Sequence, residues 1–313
     1  MPGPINPPPL IHDPGPVFAL DERPIWDAPV LLRLWHVASL DAPTVAIAWS
    51  CAFAWAARVT VPWWGPASLA LIAWAVYIAD RLLDARAGMQ SPPRHILRDR
   101  HEFHWRHRRV FAPLGFFAAL AAARIVATRL PAAARIPDTA VAAATLAYFS
   151  GVHARAGVLH RVEHLLSRSA SKALLIGILF TAGCLLPIAS QGPAPGFISA
   201  ARVLAMPGMF FAVLAWLNCH AIARWESPGS DAGGGPLGRA GILVVMVGAL
   251  IAVLLSQTEA RSALLVAAGT ASALLLTALD RFRHRLTPLA LRAAADLVLL
   301  TPVLLLAFGS LHK

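Results

Sequence analysis

The chain has 313 residues, of which 58% are hydrophobic and only 14% are charged, and its mean hydropathy is +0.62. Soluble domains are close to half apolar, so a soluble fold of this length could not bury that much apolar surface. The apolar runs are rich in Ala and Leu, which favour helix, and the alternating segments of a membrane barrel, each about ten residues long, are missing. The composition therefore predicts an all-α, polytopic membrane bundle.

The beginning of the chain differs from the rest. Residues 1–28 are proline-rich and lack both a basic start and a following apolar stretch, which predicts a disordered tail and not a cleaved signal peptide. Residues 29–40 carry apolar side chains at helical spacing with basic side chains between them, as in a helix that lies at the membrane interface. A simple extension of the first spanning helix explains residues 29–40 equally well.

Apolar windows of about 17 to 25 residues, bounded by charges or by Pro and Gly, recur along the remainder of the chain. We expect them to form about nine spanning helices in one transmembrane domain, residues 29–313. The windows lie near 41–59, 62–82, 110–128, 137–153, 171–190, 203–223, 240–256, 262–279 and 288–309.

The basic residues are unevenly distributed between the links that join these windows. Most Lys and Arg residues follow the second, fourth, sixth and eighth windows, above all in the loop 85–109. The positive-inside rule then places those links and the N-terminus in the cytoplasm and the C-terminus outside, as in a multi-pass protein of a bacterial inner membrane. Since topology explains the net charge of +11, we expect membrane lipids and not nucleic acid as partners of this basic face.

A pair of aspartates lies at the cytoplasmic end of the second window, in the segment 74–88. Asp80 and Asp84 are four residues apart, so on a helix they project from one face at a separation of roughly 6 Å and could hold Mg²⁺ jointly. Carboxylates at membrane depth are costly unless they face a polar cavity or a partner, which indicates a functional role. The alternative is an ordinary pair of interfacial charges balanced by Arg81 and Arg86.

The segment Asp80–Arg86 resembles the first aspartate-rich motif of the UbiA-type intramembrane prenyltransferase superfamily. Residues 40–43 before the first window, and residues 172–183 with their basic start and two glycines, are similar to further segments of that family. The resemblance implies nine helices around a cavity, an isoprenoid diphosphate bound with Mg²⁺, and transfer of the prenyl group to a lipophilic acceptor. It implies that Asp80 and Asp84 are catalytic and bind the metal, with Arg81 and Tyr77 beside the substrate.

The sequence also departs from the family pattern. Val76 stands where the family usually has Asn, and the sixth window lacks the several aspartates of a second motif. Asn218 and Glu226 are eight residues apart, about two helical turns, so they could complete a reduced metal shell, with Asn218 also contacting substrate. The alternative is that Asn218 bonds across helices while Glu226 pairs with a nearby arginine, either 224 or 239.

Other basic residues are candidates for binding the diphosphate. Lys172 and Arg168 lie near the start of the fifth window, at the membrane level of the aspartates, but they could equally snorkel to lipid phosphates. In the loop after the second window, His101, His104 and His107 recur every three residues, a pattern more typical of a solvated basic face than of a ligand site.

Two further groups have structural interpretations. Arg292 and Asp296 are four residues apart in the ninth window and predict an ion pair within one helix, outside the site. Four aromatic residues could stabilise an allylic cation, although packing is the commoner role of such residues. These are Trp49, Trp74, Tyr77 and Trp216.

Three classes of function are compatible with these residues. The first is an enzyme that ionises a prenyl diphosphate, with transfer or cyclisation as its outcome. The second is a catalytically silent member of the same fold that binds a lipid or a partner, which the missing second motif favours. A transporter ranks last, because the sequence shows no inverted repeat and no pair of broken spans.

Overall fold

A computed structural model describes residues 27–90, 99–153, 169–190, 195–226 and 236–311. Residues 1–26 of the predicted tail, part of the basic loop and Arg168 lie outside this described part of the chain. The described residues form twelve α-helices, with short 3-10 turns between some of them. These are α1 (Val30–Val37), α2 (Asp41–Ala56), α3 (Trp64–Gln90), α4 (Asp99–Arg106), α5 (Arg108–Arg129), α6 (Arg135–His153), α7 (Ser169–Ala189), α8 (Pro195–Trp225), α9 (Pro236–Ser256), α10 (Ala260–Phe282), α11 (Pro288–Leu297) and α12 (Pro302–Leu311).

The predicted all-α, polytopic bundle is confirmed. Seven helical segments of the described part are long and apolar enough to cross a membrane, and the count reaches eight if α1 and α2 together form one broken span. The predicted fourth span forms α6, but this helix is not among the seven. Arg135 and Asp138 lie in its first turn and His153 is its last residue, so its apolar stretch is short for a span. Nine crossings therefore require both the bent pair and α6 to span.

Helix α2 lies at the centre of the bundle because nearly every residue in it is small or apolar. It packs against α3, α7, α8, α10 and α12. The ring of Trp49 is 1% exposed, stacks on Phe211 with ring centroids 3.9 Å apart, and donates its indole N–H to the Leu299 carbonyl at 2.9 Å. Trp49, a candidate for stabilising a cation, is therefore a packing residue of the core.

Helices α1 and α2 meet at a sharp bend of 88°. Ser39 at the bend has φ +58°, a left-handed conformation that L-residues adopt only when their surroundings hold them there. Two indole N–H groups stabilise the bend around Ser39: Trp35 donates to Thr44 Oγ1 at 3.0 Å and Trp74 donates to the Ala38 carbonyl at 3.0 Å. The structure therefore shows α1 as a separate short helix and not as a straight extension of α2. The bend brings the last turn of α1 next to the first turn of α2.

Helices α7 and α8 cross at close range at Gly177. A Cβ atom added at this position would lie 2.7 Å from the Ala212 carbonyl oxygen and 3.0 Å from the Trp216 backbone nitrogen. Backbone atoms cannot move aside as a side chain can, so only glycine allows this approach. The crossing fixes where α8, and with it Asn218, lies relative to α2 and α7, which both contact α8.

Candidate functional site

Four polar residues share one face of α3 near its C-terminal end. Tyr77 and Arg81 are four residues apart, as are Asp80 and Asp84, and Tyr77 precedes Asp80 by three residues, which places all four on one side of the helix. The two aspartates are half-buried, and Arg81 is 6% exposed. The Arg81 guanidinium carbon lies 5.6 Å from the centre of the Tyr77 ring. The predicted aspartate pair therefore exists on a helix together with a buried cation.

A second group of polar residues meets at the bend between α1 and α2. His36 Nδ1 lies 2.8 Å from Asp41 Oδ2 and 3.6 Å from Asp296 Oδ2. Asn218 donates its side-chain N–H to Asp296 Oδ1 at 3.0 Å. These residues come from α1, α2, α8 and α11, and we call them, together with Arg81 of α3, the polar centre.

Two tyrosines lie near these carboxylates. Tyr77 on α3 interacts electrostatically with Asp41 and Asp296. Tyr148 on α6 interacts electrostatically with Asp80 and Asp84. Tyr77 is therefore near the polar centre, and Tyr148 is near the aspartate pair.

Few cationic side chains are buried in the described part of the bundle. Asp41 and Asp296 are largely buried, Asp80 and Asp84 are half-buried, and Arg81 is the only Lys or Arg among the described residues that is less than a tenth exposed. The Arg81 Nε atom is buried and has no hydrogen-bond partner within the described part of the chain. A carboxylate at membrane depth needs a basic partner, a bound cation or a proton.

Glu226 is not part of this region. Its carboxylate forms an ion pair with Arg292 of α11, and the two side chains are 11% and 12% exposed. The predicted ion pair between Arg292 and Asp296 inside α11 is therefore wrong, because Asp296 instead faces His36 and Asn218. Spacing along one helix could not weigh the partners that a neighbouring helix supplies.

The predicted metal shell of Asn218 and Glu226 is accordingly divided. Asn218 is buried against Asp296, whereas Glu226 lies two turns farther on, just past the end of α8, and faces Arg292, one turn before Asp296 on α11. Helices α3 and α8 have different principal neighbours: α3 packs against α2, α4, α5 and α7, and α8 packs against α7, α9 and α10. Helices α2 and α7 contact both of them.

The histidines of the basic loop are not all solvated. His101 is 7% exposed and His104 is fully buried, while His107 is exposed. His104 Nε2 lies 3.5 Å from Ser39 Oγ at the bend, and His101 Nε2 lies 3.9 Å from Asp84 Oδ2. The interpretation as a solvated basic face is therefore wrong for these two residues, because α4 packs onto α3 and α1.

The remaining predicted residues occupy simpler positions. Lys172 is partly exposed in the first turn of α7. Trp216 stacks on His220 with ring centroids 5.4 Å apart, and it lines an apolar groove of about 300 Å³ between α8 and α9. Asn218 is about 200° around the helix from Trp216, so the groove and the polar centre lie on opposite faces of α8.

Sequence reasoning missed His36 and Asp41. Asp41 looks like an ordinary acidic residue in the first turn of a helix, where its carboxylate accepts the Ala42 N–H at 2.9 Å. The available signal was that it is the only acidic residue of the 41–59 window, which is otherwise apolar. His36 carries no such signal, because only the bend brings it to Asp41.

Comparisons of the chain with protein-family models, with curated proteins and with solved structures found no match. The case for a function therefore rests on the residues and their geometry.

Proposed function

We propose that this integral membrane protein is a Mg²⁺-dependent enzyme that acts on an isoprenoid diphosphate and transfers the prenyl group to a lipophilic acceptor. The observation that carries the proposal is the polar face of α3, where two carboxylates and a buried guanidinium project together from a membrane helix. Neither the apolar core nor a lipid-facing surface explains such a face.

The residues on this face suit a diphosphate and its cation. Asp80 and Asp84 offer the hard carboxylate oxygens that Mg²⁺ prefers, at a spacing that lets one site use both. A bound Mg²⁺ ion would neutralise charge on the departing diphosphate. The planar guanidinium of Arg81 matches phosphate oxygens, and the Tyr77 ring beneath it limits its orientation. Lys172 and Arg168 remain candidates for the anionic end of the substrate.

The contacts of Asn218 and Glu226 favour a smaller set of metal ligands in this proposal. Asn218 and Glu226 are engaged with Asp296 and Arg292, so the Mg²⁺ site we propose depends on Asp80 and Asp84. The same observation favours a second candidate function, a catalytically silent protein that binds a lipid or a partner through this fold. Cyclisation of the prenyl chain shares its first step with transfer and differs only in the product.

We further propose that the polar face of α3 opens to the cytoplasm of a bacterial cell, with the protein in the inner membrane. The basic loop 85–109 follows α3 directly, and Arg106, Arg108 and Arg109 in it are exposed, as expected for a link kept on the cytoplasmic side. Reporter fusions in this loop should be active only in the cytoplasm, whereas activity on the other side would reverse the orientation.

The test uses the full-length protein in nanodiscs with radiolabelled prenyl diphosphates of several chain lengths, a lipid extract as a source of acceptor, and Mg²⁺. We expect Mg²⁺-dependent consumption by the wild type, and its loss in Asp80→Asn and Asp84→Asn, each of which should keep the wild-type unfolding temperature. Glu102→Gln on α4 is the matched control, because Glu102 is an exposed carboxylate near the same membrane level.

The outcomes separate the candidate functions. Binding of a prenyl diphosphate that depends on both aspartates, without consumption, would support the silent protein. A cyclised hydrocarbon as the product would replace transfer by cyclisation. If the wild type neither binds nor consumes any of these diphosphates, the proposal is wrong.

A further inference from the structure

His36, Asp41 and Asp296 form a group that the prenyl diphosphate chemistry does not use. One ligand atom from each residue, the imidazole Nδ1 and two carboxylate oxygens, lies within 4.8 Å of the other two. We propose that these three residues bind one divalent transition-metal ion, of which Zn²⁺ is the type, at the junction of α1, α2 and α11. This site is separate from the Mg²⁺ site proposed at Asp80 and Asp84.

The spacing of the three ligand atoms suits a small tetrahedral ion. Zn²⁺ with bonds of about 2.0 to 2.1 Å holds neighbouring ligand atoms about 3.3 to 3.5 Å apart. The 3.6 Å between His36 Nδ1 and Asp296 Oδ2 is already close to this value. The 2.8 Å between His36 Nδ1 and Asp41 Oδ2 would have to widen by about 0.5 Å, which small side-chain rotations allow.

The surroundings of the group point independently to a cation. Asn218 is 5% exposed and donates to Asp296 Oδ1, which orients that carboxylate so that its other oxygen faces His36. Carboxylates that bind a metal are commonly held by such a second hydrogen bond. Within the described residues the carbonyl oxygen of the Asn218 side chain is buried without a hydrogen-bond partner. A buried acceptor in that position is satisfied by a cation or by water on a cation.

The chemistry of the ligands selects the class of ion. Imidazole nitrogen is a good ligand for Zn²⁺, Co²⁺ and Ni²⁺, whereas Mg²⁺ and Ca²⁺ prefer oxygen alone. Arg81 interacts electrostatically with Asp41, and the two carboxylates together carry negative charge that a dication would neutralise. The competing arrangement is a protonated His36 that balances the carboxylates with no metal, so metal and proton would compete for the same Nδ1 atom.

The three ligands come from helices that are distant in the sequence and join at the bend. His36 belongs to the last turn of α1 and Asp41 to the first turn of α2, while Asp296 lies near the end of α11. An ion held by all three would lock the 88° bend and fasten it to α11. We therefore assign the ion the role of holding this junction together. Its three protein ligands leave a fourth position for water, as in open zinc sites.

The experiment uses the full-length protein in detergent, stripped with a chelator and titrated with Co²⁺, whose visible absorption reports nitrogen and oxygen ligands. We expect one equivalent of Co²⁺ per chain, displaced by Zn²⁺ and not by Mg²⁺, and a higher unfolding temperature with Zn²⁺. Asp296→Asn keeps the size of the side chain and should weaken Co²⁺ binding at least 10-fold, since loss of a ligand costs no less than loss of an outer-shell partner.

Two variants serve as matched controls. Asp280→Asn alters a partly buried carboxylate of α10 that accepts from Trp225, and it should leave Co²⁺ affinity unchanged. Asp80→Asn should also leave the Co²⁺ affinity unchanged. This variant separates the transition-metal site from the proposed Mg²⁺ site, so that either proposal can be overturned while the other stands. A wild-type protein that binds no Co²⁺, or a Co²⁺ affinity that Asp296→Asn leaves unaltered, would overturn the proposal without requiring any variant of His36 or Asp41 to fold.

Discussion

The polar centre and the hairpin of α9 and α10 are stabilised in different ways. In the polar centre, side chains from four helices meet through directional contacts, such as the 2.8 Å approach of His36 to Asp41. The hairpin is the most extensively packed pair of helices in the described structure. Within it, Gly241 and Gly248 of α9 lie against Thr277 and Thr270 of α10. The two helices approach closely there because the glycines of α9 have no side chain at the contact.

The two regions also differ in how much of their surface is exposed to lipid. Only 17% of the apolar window of α9 is buried, against 50% of that of α8, so most of α9 presents apolar side chains to lipid. A lipid-facing hairpin needs shape complementarity and little else. A group of buried carboxylates needs every partner present, because removing one partner leaves an uncompensated charge. This difference predicts how each region responds to substitution.

The largest effect is expected at Asp41. Asp41→Ala removes the carboxylate that faces His36 and accepts the first N–H of α2, so we expect a loss of about 3 to 5 kcal/mol in the free energy of unfolding. The measurement is thermal and denaturant unfolding in detergent. The control, Glu259→Ala, alters an exposed carboxylate at the start of α10 and should stay within about 0.5 kcal/mol of wild type. Equal effects of the two substitutions would remove the distinction between the regions.

In the hairpin, the informative position is Gly248. A Cβ atom there would collide with Thr270 Oγ1 and lie 2.6 Å from the Phe210 ring, so Gly248→Ala should cost about 1 to 3 kcal/mol through overpacking. A Cβ atom at Gly238 of the same helix meets nothing within 4 Å, and Gly238→Ala should instead gain about 0.5 to 1 kcal/mol from helix propensity. The prediction is confirmed if Gly248→Ala lowers the unfolding temperature and Gly238→Ala raises it relative to wild type. Stabilisation by both would mean that the helices lie farther apart.

The ion pair of Glu226 and Arg292 should have a smaller effect than the polar centre. Glu226→Gln and Arg292→Gln should each lower the free energy of unfolding by about 1 to 2 kcal/mol, because the glutamine side chain can still hydrogen-bond to the partner that remains. The double variant should cost less than the two single costs added together. If Glu226→Gln instead abolishes Mg²⁺-dependent turnover and leaves the free energy of unfolding unchanged, Glu226 is a ligand of the metal.

The smallest effect is expected outside the bundle, at Asp27. Hydrogen bonds from the Thr287 hydroxyl and the Ala28 N–H lower the pKa of the Asp27 carboxyl below its usual value of 3.8. A lowered folded-state pKa stabilises the fold above the usual pKa, and the contribution disappears as the pH falls through the folded-state value. The difference in unfolding temperature between wild type and Asp27→Asn should therefore be slight at pH 7 and vanish in acid. A difference that grows in acid would contradict this sign.

The bundle could be predicted from the sequence because each spanning helix carries its own signal. The windows 171–190 and 240–256 correspond to Ser169–Ala189 and Pro236–Ser256 within a few residues. The polar face of α3 was equally accessible, since helical periodicity places Asp80 and Asp84 together. Helix α6 marks the limit of this signal, because its length suits a span while its composition does not.

The polar centre could not be predicted in the same way. Asn218 and Asp296 are 78 residues apart, and neither the bend at Ser39 nor the packing that joins α8 to α11 has a local signature in the sequence. Within α11 the spacing of Arg292 and Asp296 suggested a local pair, but each has a partner on another helix. Interactions between helices depend on tertiary packing, which spacing along one helix does not report.

The convergence of distant polar residues on one centre is tested most directly by a double-mutant cycle on Asn218 and Asp296. The free energies of unfolding of Asn218→Ala, Asp296→Ala and the double variant give the coupling between the two side chains. The 3.0 Å hydrogen bond to a buried carboxylate predicts a coupling energy of about 1 to 3 kcal/mol. Additivity of the two single effects to within about 0.5 kcal/mol would show that these side chains do not meet, and would contradict the existence of the polar centre.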